Sequence, residues 1–262
     1  MSTAAADISL VWPALIAGLL VTATHVPLGI QVLRRGIVFI DLAVAQIAGL
    51  GVIFADTIGL DPHGWAVQAS ALSAALAGAL LLTWTDKRWP DVQEAIIGVT
   101  FVLASNVAIL LLASNPRGAE HLKDLLIGQI LWVNPARLPI EALIYATILT
   151  VWFGFGPRIG RAGFYILFAC AVTVSVQLVG LYLVFTTLIV PALATRRFKR
   201  FRVAACYVLG AAGYAVGLGI SLFADLPPGP LIVCAMAALA IVVFAFGPRP
   251  ALAAATVTMQ HS

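Results

Sequence analysis

Charged residues are scarce in this sequence, and their scarcity excludes an ordinary water-soluble protein. Only 10% of the 262 residues are Asp, Glu, Lys or Arg, whereas 62% are hydrophobic, and the mean hydropathy is +1.05. Soluble domains carry about a quarter charged residues, and a soluble core could not hide this much apolar surface. The composition therefore predicts an all-α membrane protein built as a polytopic bundle of transmembrane helices.

Residues and motifs that carry chemistry are also few. The three cysteines, Cys170, Cys206 and Cys234, are isolated within apolar stretches without a CxxC pair, which argues against a disulfide framework and a thiolate metal site. The sequence contains no GxxxxGK[ST] loop and no HExxH, GxSxG or EF-hand pattern. We therefore expect no enzymatic activity and no cofactor bound by this chain.

Long apolar runs make up most of the sequence. The first ten residues, MSTAAADISL, contain no Lys or Arg, whereas a secretory signal peptide begins with basic residues. We therefore interpret the first apolar run as a retained helix. A spanning helix needs about 20 apolar residues, and eight runs are candidates: Ile8–Leu33, Ile37–Leu60, Trp65–Thr85, Val92–Ala113, Leu138–Phe155, Ala162–Thr195, Val203–Phe223 and Pro230–Phe246.

The sixth run, residues 162–195, is too long for one straight crossing. A helix of about 34 residues would extend about 51 Å, whereas the hydrocarbon core of a bilayer is about 30 Å thick. Both flanks are basic, with Arg158 and Arg161 before the run and a five-charge cluster at 196–202 after it. Because basic loops stay in the cytoplasm, we predict a helical hairpin that turns near Gly180.

This hairpin gives a consistent topology for the whole chain. Of the 15 Lys and Arg residues, all but Arg117, Lys123 and Arg137 then face the cytoplasm. A straight long helix would instead place the 196–202 cluster outside, and we reject it for that reason. We predict about nine crossings, with the N-terminus outside and the C-terminus inside. The acids and histidine placed outside are Asp56, Asp61, His63 and Asp225.

The stretch Val184–Arg202 combines an apolar arm that ends at a proline with a short, strongly basic segment. A basic anchor that only fixes the topology is one interpretation. The other is a cytoplasmic docking helix, since a short helix between two spans can act as a lever for a partner protein. The candidate docking residues in this coupling segment, 191–202, are Pro191, Arg196, Arg197, Lys199 and Arg200.

Polar residues inside the apolar runs are candidates for a transport pathway. Intramembrane acids are costly and often functional, but an ion pair with Arg34 or Arg35, or a helix-start charge, explains Asp41 equally well. Gln46 is five positions further on, about 140° around a helix, so the two residues form no obvious two-ligand metal site. For His25, a hydrogen bond to a neighbouring helix is favoured over a role as a metal ligand.

Four stretches resemble a known family, and their order and spacing match almost the whole chain. The four stretches are PLGIQVLRRGIVFIDLAVAQIAGLG (Pro27–Gly51), HLKDLLIGQILWV (His121–Val133), VGLYLVFTTLIVPALATRRF (Val179–Phe198) and DLPPGPLIV (Asp225–Val233). The third stretch is the most specific. With these stretches the sequence resembles the permease subunits of the metal-ion ABC importers, the ABC-3 type, which take up zinc, manganese or iron(II).

The resemblance implies a single transmembrane permease domain, residues 1–262, in a bacterial inner membrane. It further implies that two copies of the chain form the pathway as a homodimer. A separate ATP-binding subunit would dock at Pro191–Arg202 and use the ATP, and an extracytoplasmic metal-binding protein would deliver the substrate. Alternating access would follow, and no nucleic acid would be involved.

The sequence departs from the family pattern at the positions expected to meet the metal. The family commonly has an Asp and a His four residues apart in the second span, and Leu42 and Gln46 occupy these places, with Asp41 displaced by one. A His common in the fourth span falls at Val102, and the link around Phe155–Arg161 is shorter than usual. We take Asp41 and Gln46 as the metal-pathway candidates and expect weak ligation from a neutral amide oxygen.

Two other functional classes are weighed against this interpretation. A stand-alone secondary transporter or channel often shows inverted repeats with paired broken helices, but only one run is clearly broken and no internal repeat is convincing. An intramembrane enzyme would need a cluster of His, Asp or Ser residues, and none is evident. An ABC importer permease therefore remains the leading hypothesis.

Overall fold

A computed structural model describes residues 3–60, 64–112, 130–155, 158–224 and 226–247. Within these ranges all regular structure is helical, which confirms the prediction of an all-α protein. The helices are α1 (Thr3–Arg35), α2 (Ile40–Thr57), α3 (Trp65–Arg88), α4 (Gln93–Leu112), α5 (Leu138–Phe155), α6 (Arg161–Val179), α7 (Leu181–Ala194), α8 (Arg202–Ala224) and α9 (Pro228–Phe246). Short 3-10 turns at Pro90–Val92 and Ile130–Trp132 precede α4 and α5.

Some residues with a predicted side of the membrane lie outside the described part of the chain. The same holds for most of the second of the four stretches that carry the family resemblance, residues 121–129. The predicted outer or cytoplasmic residues concerned are Asp61, His63, Arg117, Lys123, Asp225 and Arg249.

Eight helical segments in the described ranges are long and apolar enough to cross a membrane. They belong to every helix except α7, which is apolar but has 14 residues. At 1.5 Å per residue α7 is about 21 Å long, shorter than a hydrocarbon core of about 30 Å. Multiple membrane crossings are therefore supported, whereas a total of nine and the sides of the two termini stay predictions.

Exposed tryptophans mark the two ends of α3. Trp65 begins the helix, Trp84 lies in its last turns, and Trp89 directly follows it, and all three side chains are exposed. Trp65 and Trp84 are separated by about 29 Å of helix at 1.5 Å per residue, close to the thickness of the hydrocarbon core. Tryptophan is enriched at both membrane–water interfaces, so this spacing fits a helix that crosses the bilayer.

The long apolar run is broken where the sequence predicts. Helix α6 ends at Val179 and α7 begins at Leu181. Gly180 between them has φ +87° and ψ 160°, a conformation that residues with a Cβ rarely adopt. The prediction of a break near Gly180 is therefore confirmed.

Both flanks of the broken run lie at the same end of the bundle. The Arg35 guanidinium, at the end of α1, lies 4.1 Å from the ring centroid of Phe164 in the first turn of α6. Phe198, which follows α7, lines a cavity together with Arg34 of α1. Because the two flanks meet the same end of α1, the geometry is the one that a hairpin requires.

The helices pack as two groups. One group joins α2 with α3, α4 and α6, and the other joins α1 with α7, α8 and α9, while α5 lies beside α1 and α6. The chain passes directly between the groups at two places, from α1 to α2 and from α6 to α7. A glycine with positive φ lies at each passage, Gly36 at +70° and Gly180 at +87°.

Replacing Gly180 tests whether the break depends on glycine. We expect Gly180→Ala to lower the free energy of unfolding by about 1–2 kcal/mol, because an L-residue is strained at this φ. Gly219→Ala in α8 is the matched control, since its Cβ would meet open space within a helix. Thermal unfolding of both variants in detergent measures the difference, and equal unfolding temperatures would contradict this account of the break.

Candidate pathway and coupling sites

Asp41 is a buried carboxylate without a partner. It lies in the first turn of α2 with 1% of its surface exposed. Within the described ranges neither of its carboxylate oxygens has a hydrogen-bond partner, and no ion pair joins it to Arg34 or Arg35. The ion-pair interpretation of Asp41 is therefore wrong, which leaves a charge at the helix start and a role in transport as its interpretations.

A second acid, Glu94, reaches the same end of α2. Glu94 lies in the first turn of α4, and its Oε1 accepts a hydrogen bond from the backbone N–H of Phe39 at 3.3 Å. Its other oxygen, Oε2, is buried and has no partner among the described residues. The sequence analysis did not identify Glu94 as a pathway candidate. Its position just inside the fourth apolar run could have indicated it, because acids within membrane spans are often functional.

Gln46 does not join these acids. Helix α2 is continuous from Ile40 to Thr57, so residues 41 and 46 project about 140° apart, as the sequence predicts. Gln46 is nearly buried, with 9% exposure, whereas Val102 on α4 is 53% exposed. The described residues contain no group of three or more His, Cys, Asp or Glu side chains that could hold a metal ion.

His25 is bonded within its own helix. Its Nδ1 lies 3.0 Å from the carbonyl oxygen of Val21 and 3.1 Å from Oγ1 of Thr24. A carbonyl only accepts, so Nδ1 carries the proton, and Nε2 is buried without a partner in the described part of the chain. The expected bond from His25 to a neighbouring helix is therefore wrong, because the ring reaches back one turn of α1 instead.

Two polar side chains of α4, those of Ser105 and Asn106, follow the same local pattern. Ser105 donates to the carbonyl of Phe101 at 2.9 Å, and Asn106 donates to that of Val102 at 2.8 Å. Such bonds to the preceding turn satisfy a hydroxyl or amide without a second helix. These residues therefore provide no evidence for a pathway of their own.

The coupling segment is anchored to the start of α8. The carbonyl oxygen of Pro191 accepts hydrogen bonds from Oγ1 of Thr195 at 2.8 Å and from the thiol of Cys206 at 3.5 Å. Arg202 donates from Nη2 to the carbonyl of Ala192 at 3.2 Å. Carbonyls at a helix C-terminus lack partners within the helix, so side chains from residues 195–206 cap α7 and bind it to α8.

Two expectations for this segment are wrong in detail. Pro191 does not end the helix, because α7 continues to Ala194, where the Thr195 and Cys206 bonds complete its last turn. The basic residues that follow lie in turns and not in a helix. The expected docking helix is therefore the end of α7 followed by a compact basic turn.

Aromatic rings organise the basic residues of this turn. The guanidinium groups of Arg196 and Arg197 lie 5.5 and 4.1 Å from the ring centroid of Phe244 in α9. The guanidinium of Arg200 lies 4.8 Å from the ring of Phe201. Cation–π contacts of this kind hold a cation in place while leaving its N–H donors free. Arg196, Lys199 and Arg200 remain exposed at the surface.

Removing the Thr195 hydroxyl tests the anchoring of the segment. We expect Thr195→Val to lower the free energy of unfolding by about 1 kcal/mol, because the Pro191 carbonyl and the Cys206 thiol both lose a partner. Thr147→Val is the matched control, since that hydroxyl is exposed and bonds only within its own helix. Thermal unfolding in detergent provides the comparison, and an equal effect of the two changes would count against the anchor.

Known proteins show the same sequence pattern and fold. The model of the ABC 3 transport family matches residues 7–158 and 152–247. A Haemophilus influenzae protein named a probable iron transport system membrane protein is 26% identical over 202 residues, covering 68% of this chain and 71% of the relative. The membrane protein ZnuB of a high-affinity zinc uptake system in that organism is 22% identical over 246 residues, covering 86% and 92%.

A solved structure has a similar fold. PsaBC from Streptococcus pneumoniae in complex with Fab superposes with a TM-score of 0.74 at 21% identity, covering 91% of this chain and 92% of that one. The similarity at this identity shows a shared fold. The resemblance carried by the four sequence stretches is confirmed, and so is the expectation that the chain is not an enzyme. The chain belongs to the ABC 3 transport family, as a multi-pass membrane permease.

Proposed function

We propose that this chain is the membrane-spanning subunit of an ABC importer for a divalent metal ion in a bacterial inner membrane. The observation that carries the proposal is the family match along nearly the whole chain. Relatives named for iron and for zinc transport support a metal as the substrate. Zinc, manganese and iron(II) all belong to the proposed substrate class.

The coupling segment, 191–202, supplies the proposed docking site for a separate ATP-binding subunit. Arg196, Lys199 and Arg200 are exposed at its surface, while Pro191 and Arg197 hold it against α8 and α9. Because the end of α7 is bonded to the start of α8, a push on this segment would be transmitted to both helices. Movements of the ATP-binding subunit during ATP hydrolysis would therefore reach the membrane helices through this segment.

Alternating access would require the two groups of helices to move relative to each other. The coupling segment belongs to the group of α1, α7, α8 and α9, whereas the candidate pathway residues Asp41, Gln46 and Glu94 lie on α2 and α4. Gly36 and Gly180 connect the groups in conformations reserved largely for glycine. Hinge closure of packed groups about a few terminal residues is a common form of conformational change.

Asp41 and Gln46 are the proposed pathway residues, and Glu94 is added to them. The oxygens of these side chains are ligands for divalent cations, with the two carboxylates providing charge and the amide a weaker neutral donor. A second copy of the chain would complete the pathway. A separate extracytoplasmic binding protein would deliver the metal, which is the substrate and not a resident cofactor.

Charge reversal in the coupling segment tests ATPase docking. We expect Arg196→Glu/Arg200→Glu to reduce co-purification of the cognate ATP-binding subunit by about tenfold or more, since several charge contacts would become repulsive. The control Lys87→Glu/Arg88→Glu makes the same change on exposed residues at the end of α3. Equal binding by all three proteins would refute the docking site, and metal transport by the purified chain alone would favour a stand-alone transporter.

Neutralising Asp41 and Glu94 tests the pathway. We expect Asp41→Asn and Glu94→Gln each to lower metal accumulation in cells by about tenfold or more, because a cation loses a charged ligand. Asp56→Asn, at the opposite end of α2, is the control. Uptake of zinc, manganese and iron(II) is measured at matched protein abundance, and unchanged uptake of all three by both variants would remove these acids from the pathway.

A further inference from the structure

A cavity lies between the end of α1 and the start of α8, beside the coupling segment. Its volume is about 420 Å³. Three cationic side chains line it, from Arg34, Lys199 and Arg202, and the described lining contains no acidic residue. Three positive charges around one cavity without a counter-charge make it a site for an anion.

Backbone donors add to this positive field. Helix α8 begins at Arg202 and has no acidic residue in its first turn. Its first intrahelical bond in this region runs from the N–H of Ala205 to the carbonyl of Phe201 at 2.9 Å, so the N–H groups of Val203 and Ala204 precede the bonded turn. Both residues line the cavity. Free N–H groups at a helix N-terminus are a common phosphate-binding element.

Arg202 is held in place at the cavity by a bond to the end of α7. Its Nη2 donates to the carbonyl of Ala192 at 3.2 Å. Its Nε is buried and has no partner among the described residues. What Arg202 offers the cavity is the positive charge of a guanidinium whose side chain is already ordered by the bond to Ala192.

The rim of the cavity is apolar, which distinguishes a lipid from a free anion. The side chain of Phe201 is 69% exposed and that of Val203 is 48% exposed, and Ile30 and Phe198 line the wall. Arg34 marks the end of the membrane-spanning α1, so the cavity lies where hydrocarbon meets headgroups. A phospholipid supplies a phosphate for the cations and acyl chains for the exposed apolar side chains.

We propose that this cavity binds the phosphate headgroup of an anionic phospholipid. Basic pockets between helices at a membrane surface are known to take such headgroups. The bound lipid would neutralise Arg34, Lys199 and Arg202 and would brace the turn that joins α7 to α8. The site is separate from the pathway acids on α2 and α4, and it does not depend on which substrate the chain transports.

Native mass spectrometry of the full-length protein in detergent tests the proposal. Phosphatidylglycerol is the probe, and phosphatidylcholine is the zwitterionic comparison. We expect the wild-type protein to retain more phosphatidylglycerol than phosphatidylcholine. We expect Arg34→Gln/Lys199→Gln to bind phosphatidylglycerol at least about tenfold more weakly, since each basic residue contributes about 1 kcal/mol. Arg202 stays unchanged in this variant because it caps α7.

The control variant is Arg196→Gln/Arg200→Gln, which removes two charges from the same turn but outside the cavity lining. It should bind phosphatidylglycerol as wild type does. Equal retention of the two lipids by wild type, or equal losses in both variants, would overturn the proposal. Complete displacement of the lipid by millimolar inorganic phosphate would identify a free-anion site and would overturn it as well.

Discussion

The absence of water in a bilayer is the constraint on which this structure depends. A broken helix in lipid must satisfy its own backbone, because each unpaired polar group there costs several kcal/mol. At the break between α6 and α7, the N–H of Gly180 donates to Val176 at 2.9 Å and its carbonyl accepts from Val184 at 3.1 Å. Both polar groups of the glycine are therefore satisfied, and the chain can change direction inside the bundle.

The break determines where the rest of the chain lies. Because α7 returns to the end of the bundle where α1 finishes, its last carbonyls meet Arg202 and Cys206, and the basic turn is placed beside Phe244 of α9. Had the run continued straight, α7 would have ended far from Arg34 and the cavity between α1 and α8 would not form. One glycine conformation thus positions the coupling segment and the basic cavity together.

The sequence was sufficient for the features that depend on length, composition and charge. It predicts the helical class and the break at Gly180, because a bilayer limits helix length and keeps basic flanks on one side. It could not predict that α7 passes through Pro191, since the Cys206 thiol that helps cap the helix lies 15 residues away in the chain. Contacts between distant residues, such as Glu94 with Phe39, likewise leave no periodic signal in a single sequence.

The lack of a partner for Asp41 among the described residues is the strongest structural support for the proposed cation pathway near the start of α2. Isolating a carboxylate from water costs several kcal/mol unless a positive partner compensates. The field of the α2 N-terminus provides part of that compensation, but Glu94 already occupies the N–H of Phe39 and brings a second carboxylate to the same helix end. Protonation can neutralise the two acids, and a divalent cation, the proposed substrate, would bind their ionised form in competition with protons.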